Sequence, residues 1–170
     1  MKNNTYKKSL LVFAFSFFAV TGAMAQFSIG LDLGLPMGTF GDTHGLGIGG
    51  TVRYDGAIND NLSWSAGAGY VSFSGKDFDY GFGPIAVPSF AMVPITGGVK
   101  YYFTESNAGF YGAADIGIWF AASSGSSGSE FGFSPGVGYR VSSFDIAMKY
   151  NAVGNVSNLG FRVAYVLGGD

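Results

Sequence analysis

The chain has 170 residues, enough for one domain, and its formal net charge of −2 indicates neither a nucleic-acid-binding surface nor an acidic tail. Charged residues make up only 12% of the chain, against about a quarter in ordinary soluble domains, while 48% are hydrophobic and 29 are glycine. The absence of cysteine excludes disulfides, a lipoprotein anchor, cysteine zinc sites and thiol catalysis.

The first 25 residues predict a cleaved signal peptide. A basic start with three lysines precedes an apolar run at residues 10–20, and Ala-Met-Ala at residues 23–25 matches a small-x-small cleavage site. The apolar run of eleven residues is too short to span the bilayer core, because about 30 Å of hydrocarbon requires roughly 20 residues. The predicted organisation is therefore a signal peptide at 1–25 and one secreted domain at 26–170.

After the signal peptide, apolar residues alternate with small or polar ones. A period of two puts each set on one face of a β-strand. The first predicted strand starts at Phe27, the second covers residues 46–55 and the third covers residues 62–73. Their apolar face carries Phe27, Ile29, Leu31, Leu33, Leu35, Leu46, Ile48, Val52, Tyr54, Leu62, Trp64, Ala66, Ala68 and Tyr70.

Residues 93–121 predict two further strands joined by a tight polar turn. The opposite face of this hairpin is small and polar, with Lys100 in its first strand and Asp115 in its second. A soluble sheet turns its apolar face to a core, whereas a transmembrane barrel turns it to lipid. That face carries Val93, Ile95, Val99, Tyr101, Phe103, Phe110, Ala114, Ile116, Ile118 and Phe120.

Three more alternating segments, at residues 130–141, 144–151 and 159–167, bring the predicted count to eight strands. Longer and shorter connections alternate, and the seventh, at residues 152–158, belongs to the longer set. Because outer-membrane barrels combine short periplasmic turns with longer extracellular loops, this pattern predicts a periplasmic N-terminus. The outward aromatic residues form two interfacial belts: Phe27, Tyr54, Trp64, Phe103, Phe110, Tyr139, Phe144 and Tyr165 near the turns, and Tyr70, Phe120, Phe131, Tyr150 and Phe161 near the loops.

Every charge well inside a predicted strand shares the polar face. An Arg or Lys on the lipid face would cost about 2–4 kcal/mol at the bilayer midplane. An eight-stranded barrel is just wide enough for its own side chains. We therefore expect the ions to pair, fill the lumen and stabilise the barrel. A proton or ion pathway is the alternative. The eight residues are Asp32, Arg53, Lys100, Asp115, Arg140, Asp145, Lys149 and Arg162.

Two prolines interrupt the strand pattern. Pro94 and Pro135 lie inside predicted strands, where each removes a donor from the hydrogen-bond ladder. A closed barrel has no free edge that would accommodate this loss. We expect bulges at these positions, or a strand that has already left the membrane at Pro94.

The segments VPITGGVKYYF, GFYGAADIGI, FSPGVGYRV, DIAMKYN and LGFRVAYVL resemble the small eight-stranded outer-membrane β-barrel family of Gram-negative bacteria, the OmpA/OmpX-like group. The likeness is one of pattern and carries no catalytic signature. It implies an all-β fold, an eight-stranded antiparallel up-and-down transmembrane β-barrel in the cell outer membrane. It also implies insertion into outer-membrane lipid by the barrel assembly machinery, and a role in envelope structure or surface contact.

The sequence gives little support for a catalytic or metal-binding site. His44, the single histidine, lies on the first outer loop, and barrel enzymes at the membrane rim use a histidine with a serine or aspartates. Since the sequence positions no serine beside it, a solvated loop histidine is favoured. Asp77 and Asp79 are too few for calcium, which takes six to eight oxygen ligands. We therefore expect no catalytic residue, no cofactor and no metal.

The third connection is the best candidate for surface contact, because it is unusually apolar for a loop. The alternative is that its residues prolong the flanking strands above the membrane and pack on one another. The residues are Phe78, Tyr80, Phe82, Ile85 and Val87.

The sequence thus favours a non-enzymatic outer-membrane barrel with a filled polar lumen and loops available to an extracellular partner. One alternative is an enzyme at the membrane rim that acts on lipid through His44. The other is a soluble periplasmic lipocalin-like binder, which requires the Phe, Ile and Leu face to point inward and the Arg, Lys and Asp face to lie in water.

Overall fold

The structure is a computed structural model that describes residues 25–79, 84–104, 107–123 and 127–168. The predicted signal peptide lies outside the described residues, apart from residue 25, and stays a prediction. The elements of the described part are β1 (Ala25–Met37), α1 (Gly38–Thr43), β2 (His44–Ala57), β3 (Leu62–Gly75), β4 (Asp77–Asp79), β5 (Pro84–Ala86), β6 (Phe90–Tyr102), β7 (Gly109–Ala121), β8 (Ser129–Val141), β9 (Phe144–Val153) and β10 (Val156–Leu167).

The long strands close into an eight-stranded antiparallel barrel in the order β1-β2-β3-β6-β7-β8-β9-β10. The first and last strands complete the circle, with Phe27 opposite Leu167 and Met37 opposite Ser157 in one register. Each other barrel strand pairs with the barrel strand next along the chain. The predicted all-β, up-and-down barrel is therefore confirmed.

The outward face of the barrel is apolar and exposed. Leu31 is 74% exposed, Ile48 62% and Val163 52%, although each lies in the middle of a strand. Apolar surface left in water costs about 25 cal/mol per Å², so a continuous band of this kind indicates a lipid environment. The soluble lipocalin-like alternative is wrong, because it needs this face to line the interior.

One end of the barrel, the turn end, carries the tight connections at residues 58–61 and 142–143 and the N-terminus of β1. Asn59 Oδ1 accepts hydrogen bonds from the N–H groups of Asn61 at 3.0 Å and Leu62 at 2.9 Å. This side-chain mimic of a backbone turn explains the preference for asparagine at the reversal.

The aromatic belt at the turn end consists of rings in contact. Phe110 and Tyr139 on neighbouring strands have centroids 4.6 Å apart, and those of Phe144 and Tyr165 are 5.6 Å apart. Tilted and edge-to-face pairs of this kind are favoured by the ring quadrupoles. The belt therefore joins adjacent strands at the level where the membrane interface is expected.

The opposite end, the loop end, differs from the prediction in two connections. The first outer loop contains the short helix α1. The seventh connection, predicted as a longer loop, is a two-residue turn, because β9 and β10 stay paired up to Val153 and Val156. Gly154 has a φ of +52° in this turn, a conformation that favours glycine. Among the described residues, no helix is long and apolar enough to cross a membrane.

The expected bulges at the two prolines are absent from the described pairing. Two residues on each strand leave the ladder between β3 and β6 at Pro94, and between β8 and β9 at Pro135, while the register on both sides of each gap is unchanged. Each proline keeps its partner on the other side, Trp119 for Pro94 and Ala114 for Pro135. Since proline lacks only the N–H group, the chain loses local pairs and keeps its alignment.

Candidate functional site

The structure places all eight predicted lumen charges on the inner face of the barrel. Asp55, which is 4% exposed, joins them. The strand interiors of the described residues thus hold four acids, Asp32, Asp55, Asp115 and Asp145, and five bases, Arg53, Lys100, Arg140, Lys149 and Arg162. Buried charges are tolerated when they are paired and hydrogen-bonded.

Asp115 is the centre of the ion network in the middle of the lumen. It accepts hydrogen bonds from Arg53 Nη1 at 3.0 Å and Nη2 at 2.8 Å, a two-pronged contact that matches the guanidinium fork to a carboxylate. Lys149 Nζ bonds the same carboxylate. Ser65 Oγ accepts a further hydrogen bond from Arg53 Nη2 at 2.7 Å. One acid on β7 thus holds two bases from β2 and β9.

A second ion cluster lies towards the turn end. Lys100 Nζ, on a side chain that is 1% exposed, lies 2.8 Å from Asp55 Oδ2 and 2.7 Å from Asp145 Oδ2. Tyr111 donates its hydroxyl proton to Asp145 Oδ1 at 2.5 Å, and its ring centroid is 4.9 Å from Lys100 Nζ. The Tyr102 and Tyr111 rings, with centroids 5.2 Å apart, close the lumen beside this cluster.

Arg162 is held by hydroxyl groups. Its Nε donates to Thr51 Oγ1 at 2.8 Å and its Nη2 donates to Ser28 Oγ at 3.0 Å. Thr51 in turn donates to Asp32 Oδ2 at 2.8 Å. Among the described residues Arg162 forms no direct ion pair, and the hydroxyl of Thr51 links it to Asp32.

Glycines opposite the long charged side chains provide their space. A Cβ atom on Gly30 would lie 2.7 Å from Arg162 Nε, and one on Gly136 would lie 2.6 Å from Lys149 Cγ. Both distances are shorter than real Cβ contacts. The glycine-rich composition is therefore the counterpart of a lumen filled by arginine and lysine.

The loop end of the lumen is closed by an apolar cluster that we call the plug. It consists of Phe40, Phe73, Met92, Trp119 and Val153. Phe40 comes from α1 and meets the Phe73 ring with centroids 5.0 Å apart. Phe73 is 0% exposed, so the plug packs tightly across the loop end of the lumen.

A cavity of about 100 Å³ lies between the plug and the ions. A space of this size that is lined partly by ions and amides has room for several waters. Arg53 is one of the lining residues, and its buried Nε has no hydrogen-bond partner among the described residues. The lining includes Trp119 and Met92 from the plug, the amides of Asn151 and Asn158, and the ions Asp32, Arg53, Asp115, Lys149 and Arg162.

His44 is the first residue of β2 and is half-buried, so the prediction of a solvated loop residue is wrong. Its ring stacks on Phe40 with centroids 4.5 Å apart, and Nδ1 lies 2.8 Å from Thr43 Oγ1. Burial lowers the pKa of His44 below its ordinary value of 6.5, against smaller opposing effects of the Phe40 and Pro88 carbonyls. The ring packs against the plug, and its burial there disfavours the protonated form.

The third connection contains a short hairpin, with Phe78 on β4 paired with Ile85 on β5. Val87 is half-buried. Two other predicted contact residues, Tyr80 and Phe82, lie outside the described residues. In the part of the chain that is described, no group of three or more His, Cys, Asp or Glu side chains could hold a metal ion.

Sequence reasoning missed Asp55 and the plug. Asp55 shares the parity of Arg53 two residues earlier, so the alternation would have placed it inside. Phe73 and Trp119 also occupy positions that the alternation places on the inward face of their strands. Large apolar residues on the polar face of a strand are the signal that was available.

Fold and interior together define a transmembrane eight-stranded β-barrel with an occupied, ion-paired lumen. The chain is similar to the outer membrane protein Ail of Yersinia pestis in a phospholipid bilayer nanodisc, with a TM-score of 0.58 at 13% identity over 84% of this chain and 99% of that one. It is also similar to the N-terminal β-barrel domain of Pseudomonas aeruginosa OprF, with a TM-score of 0.51 at 12% identity over 84% and 97% of the two chains.

A designed protein shares the same architecture. The chain matches a de novo transmembrane β-barrel with a TM-score of 0.53 at 14% identity, covering 84% of this chain and 95% of that one. No protein-family model and no curated protein matches the chain. At these identities the likeness establishes a shared fold, and function has to be argued from the site.

Proposed function

We propose that this protein is an integral outer-membrane barrel that contributes to the envelope and presents its loop end to the cell exterior, without catalytic activity. The observation that carries the proposal is the inverted burial: Leu31 and Val163 are more than half exposed, while Asp115 and Lys100 are almost fully buried. A signal peptide at residues 1–25 and insertion by the barrel assembly machinery complete the proposal.

The lumen supports a structural role. Arg53, Lys149 and Asp115 occupy the middle of the barrel, and the plug closes the loop end. An eight-stranded barrel has no spare width for a solute channel. The ion network therefore acts as internal bracing, and the native protein should conduct no measurable current in a planar bilayer.

His44 supports a role without catalysis. Its side-chain contacts include the Thr43 hydroxyl, the Phe40 and Phe90 rings and the Pro88 carbonyl, at the edge of the plug. A nucleophile and an orienting carboxylate are the partners that hydrolytic chemistry at the rim would need. The contacts of His44 instead suit a packing role.

Depth-dependent charge substitution tests the membrane location. Val163→Lys puts a cation at mid-strand on the outward face, where it should cost about 2–4 kcal/mol, whereas Leu167→Lys near the strand end should cost about 0–1 kcal/mol. The readouts are carbonate-resistant membrane retention and heat-modifiable gel mobility. Equal behaviour of the two variants, or release of the native protein by carbonate, would contradict the proposal.

Surface contact through the β4–β5 hairpin is the finer part of the proposal. Replacing residues 77–86 by a short Gly-Ser linker should reduce binding of expressing cells to host-cell or matrix-coated surfaces and leave heat-modifiability intact. The matched control replaces Gly154-Asn155 by another two-residue turn at the same end of the barrel. Unchanged binding in the hairpin variant would remove the hairpin from the function.

A further inference from the structure

The two gaps in the barrel wall differ in how they are closed. At the Pro135 gap, Ser134 Oγ donates to Asn151 Oδ1 at 2.7 Å across the missing pairs of β8 and β9. At the Pro94 gap the residues that lose their pairing are 69–70 and 93–94, and only Tyr70 has a polar side-chain atom. The wall between β3 and β6 therefore lacks a comparable side-chain bridge.

The cavity reaches the wall at this unbridged gap. Residues on both sides of it line the cavity, and two of them, Ala68 and Tyr70, are exposed on the outward face. At the Pro135 gap the bridging residues Ser134 and Asn151 line the cavity, whereas the outward residues Pro135 and Tyr150 are not among the lining residues of the described chain. The cavity lining on the two strands consists of Gly67, Ala68, Tyr70, Val71, Met92, Pro94 and Thr96.

The cavity favours an anion. Its lining holds three bases, Arg53, Lys149 and Arg162, and two acids, Asp32 and Asp115, an excess of one positive charge. Arg53 is 6% exposed and its Nε has no partner among the described residues. Arg162 reaches only hydroxyl groups directly. A carboxylate in the cavity would balance this excess positive charge.

We propose that the cavity binds the carboxylate of a single-chain fatty acid, which enters from the surrounding lipid between β3 and β6 at Pro94. This inference rests on the proposed membrane location. Tyr70 belongs to the loop-end aromatic belt, so the gap lies near the level of lipid head groups. A carboxylate can therefore reach the gap without crossing the hydrocarbon core.

The volume of the cavity limits the size of the lipid head group that can enter it. Its volume of about 100 Å³ is below the roughly 150 Å³ that holds a benzene molecule in an engineered protein cavity. A carboxylate and its first methylene groups fit this space, whereas a glycerophosphate head group exceeds it. The rest of the acyl chain stays outside, beside Ala68 and Ile95, which are neighbours across β3 and β6.

Tryptophan fluorescence tests the proposal directly. Trp119 lines the cavity, and Trp64→Phe, at the turn end of the outward face, leaves Trp119 as the single tryptophan. This protein in neutral detergent is titrated with stearic acid that carries a nitroxide on carbon 5. We expect saturable quenching of Trp119, which the methyl ester of the same probe does not reproduce. Equal quenching by acid and ester would overturn the proposal.

Replacing the proline at each gap tests whether the acid enters between β3 and β6. Pro94→Val, in the Trp64→Phe background, restores the N–H donor and should weaken binding of the acid about tenfold or more. Pro135→Val makes the same chemical change at the bridged gap and should leave binding unaltered. Entry through the β3–β6 wall would be overturned if both variants, or neither, bind the acid more weakly. It would also be overturned if acetate competes with the probe as strongly as stearate does. Membrane retention and heat-modifiability are measured in parallel, so loss of the barrel is distinguished from loss of binding.

Discussion

The ionic middle of the lumen and the plug at its loop end are built from residues of the same inward parity, but different forces stabilise them. Around Asp115, each charged group depends on a specific partner, because an unpaired ion inside the barrel is costly. In the plug, Phe73 and Trp119 depend on filled volume. One alternation pattern can therefore supply both a network of paired ions and an apolar cluster that packs across the barrel end.

Removing the central acid should have the largest effect. Asp115→Ala leaves Arg53 and Lys149 buried without their carboxylate, which should cost about 3–5 kcal/mol. The measurement is urea-induced unfolding of the lipid-reconstituted barrel, followed by gel mobility. The triple variant Asp115→Leu, Arg53→Met and Lys149→Met removes all three charges and should recover most of the loss. A triple variant as unstable as the single one would show that pairing is not what these ions provide.

Removing a large plug residue should have the next largest effect. Trp119→Ala leaves a cavity at the loop end and should cost about 3 kcal/mol, at the lower end of the range for buried aromatic residues. Trp64→Ala is the matched control, because Trp64 lies half-buried on the outward face. The same urea unfolding measures both variants. A larger loss for Trp64 would contradict the importance of the plug.

Phe40→Ala should have a smaller effect on stability and a visible effect on permeability. Phe40 is supplied by the six-residue helix α1, which can shift to fill part of the space, so the cost should stay below the roughly 3–5 kcal/mol of a strand-held phenylalanine. Planar-bilayer recordings should show small, brief currents that the native protein lacks. Phe90→Ala, beside the plug, serves as the control. A silent Phe40 variant would mean that Tyr102 and Tyr111 close the lumen by themselves.

The smallest expected effect concerns His44. Because burial lowers its pKa below 6.5, the folded state binds the proton less readily than the unfolded state. Its contribution to stability is therefore full above pH 6.5 and is lost as the pH falls below that value towards the folded pKa. An NMR titration is unambiguous, since His44 is the single histidine. Phe40→Ala should return the pKa towards 6.5, and an unchanged value would contradict burial against Phe40 as its cause.

The two faces of the barrel can be assigned from the sequence alone. Alternation is a local property, so Ile116 could be placed outside and Asp115 inside from the strand pattern alone. The number of barrel strands followed from the same pattern. Asp55, Phe73 and Trp119 also occupy inward positions of this alternation. Asp55 lies at the end of a predicted strand, and Phe73 and Trp119 are large apolar residues on a polar face, so the pattern did not make their direction evident.

The contacts between inward residues of distant strands become visible only in the closed barrel. Arg53 and Asp115 are 62 positions apart in the chain, and Lys149 reaches the same carboxylate from β9. Parity gives the direction of a side chain but not its height in the lumen, because height depends on strand tilt and stagger, which are fixed when the barrel closes. For the same reason the plug, the cavity and the unbridged gap at Pro94 appear only after β1 has paired with β10.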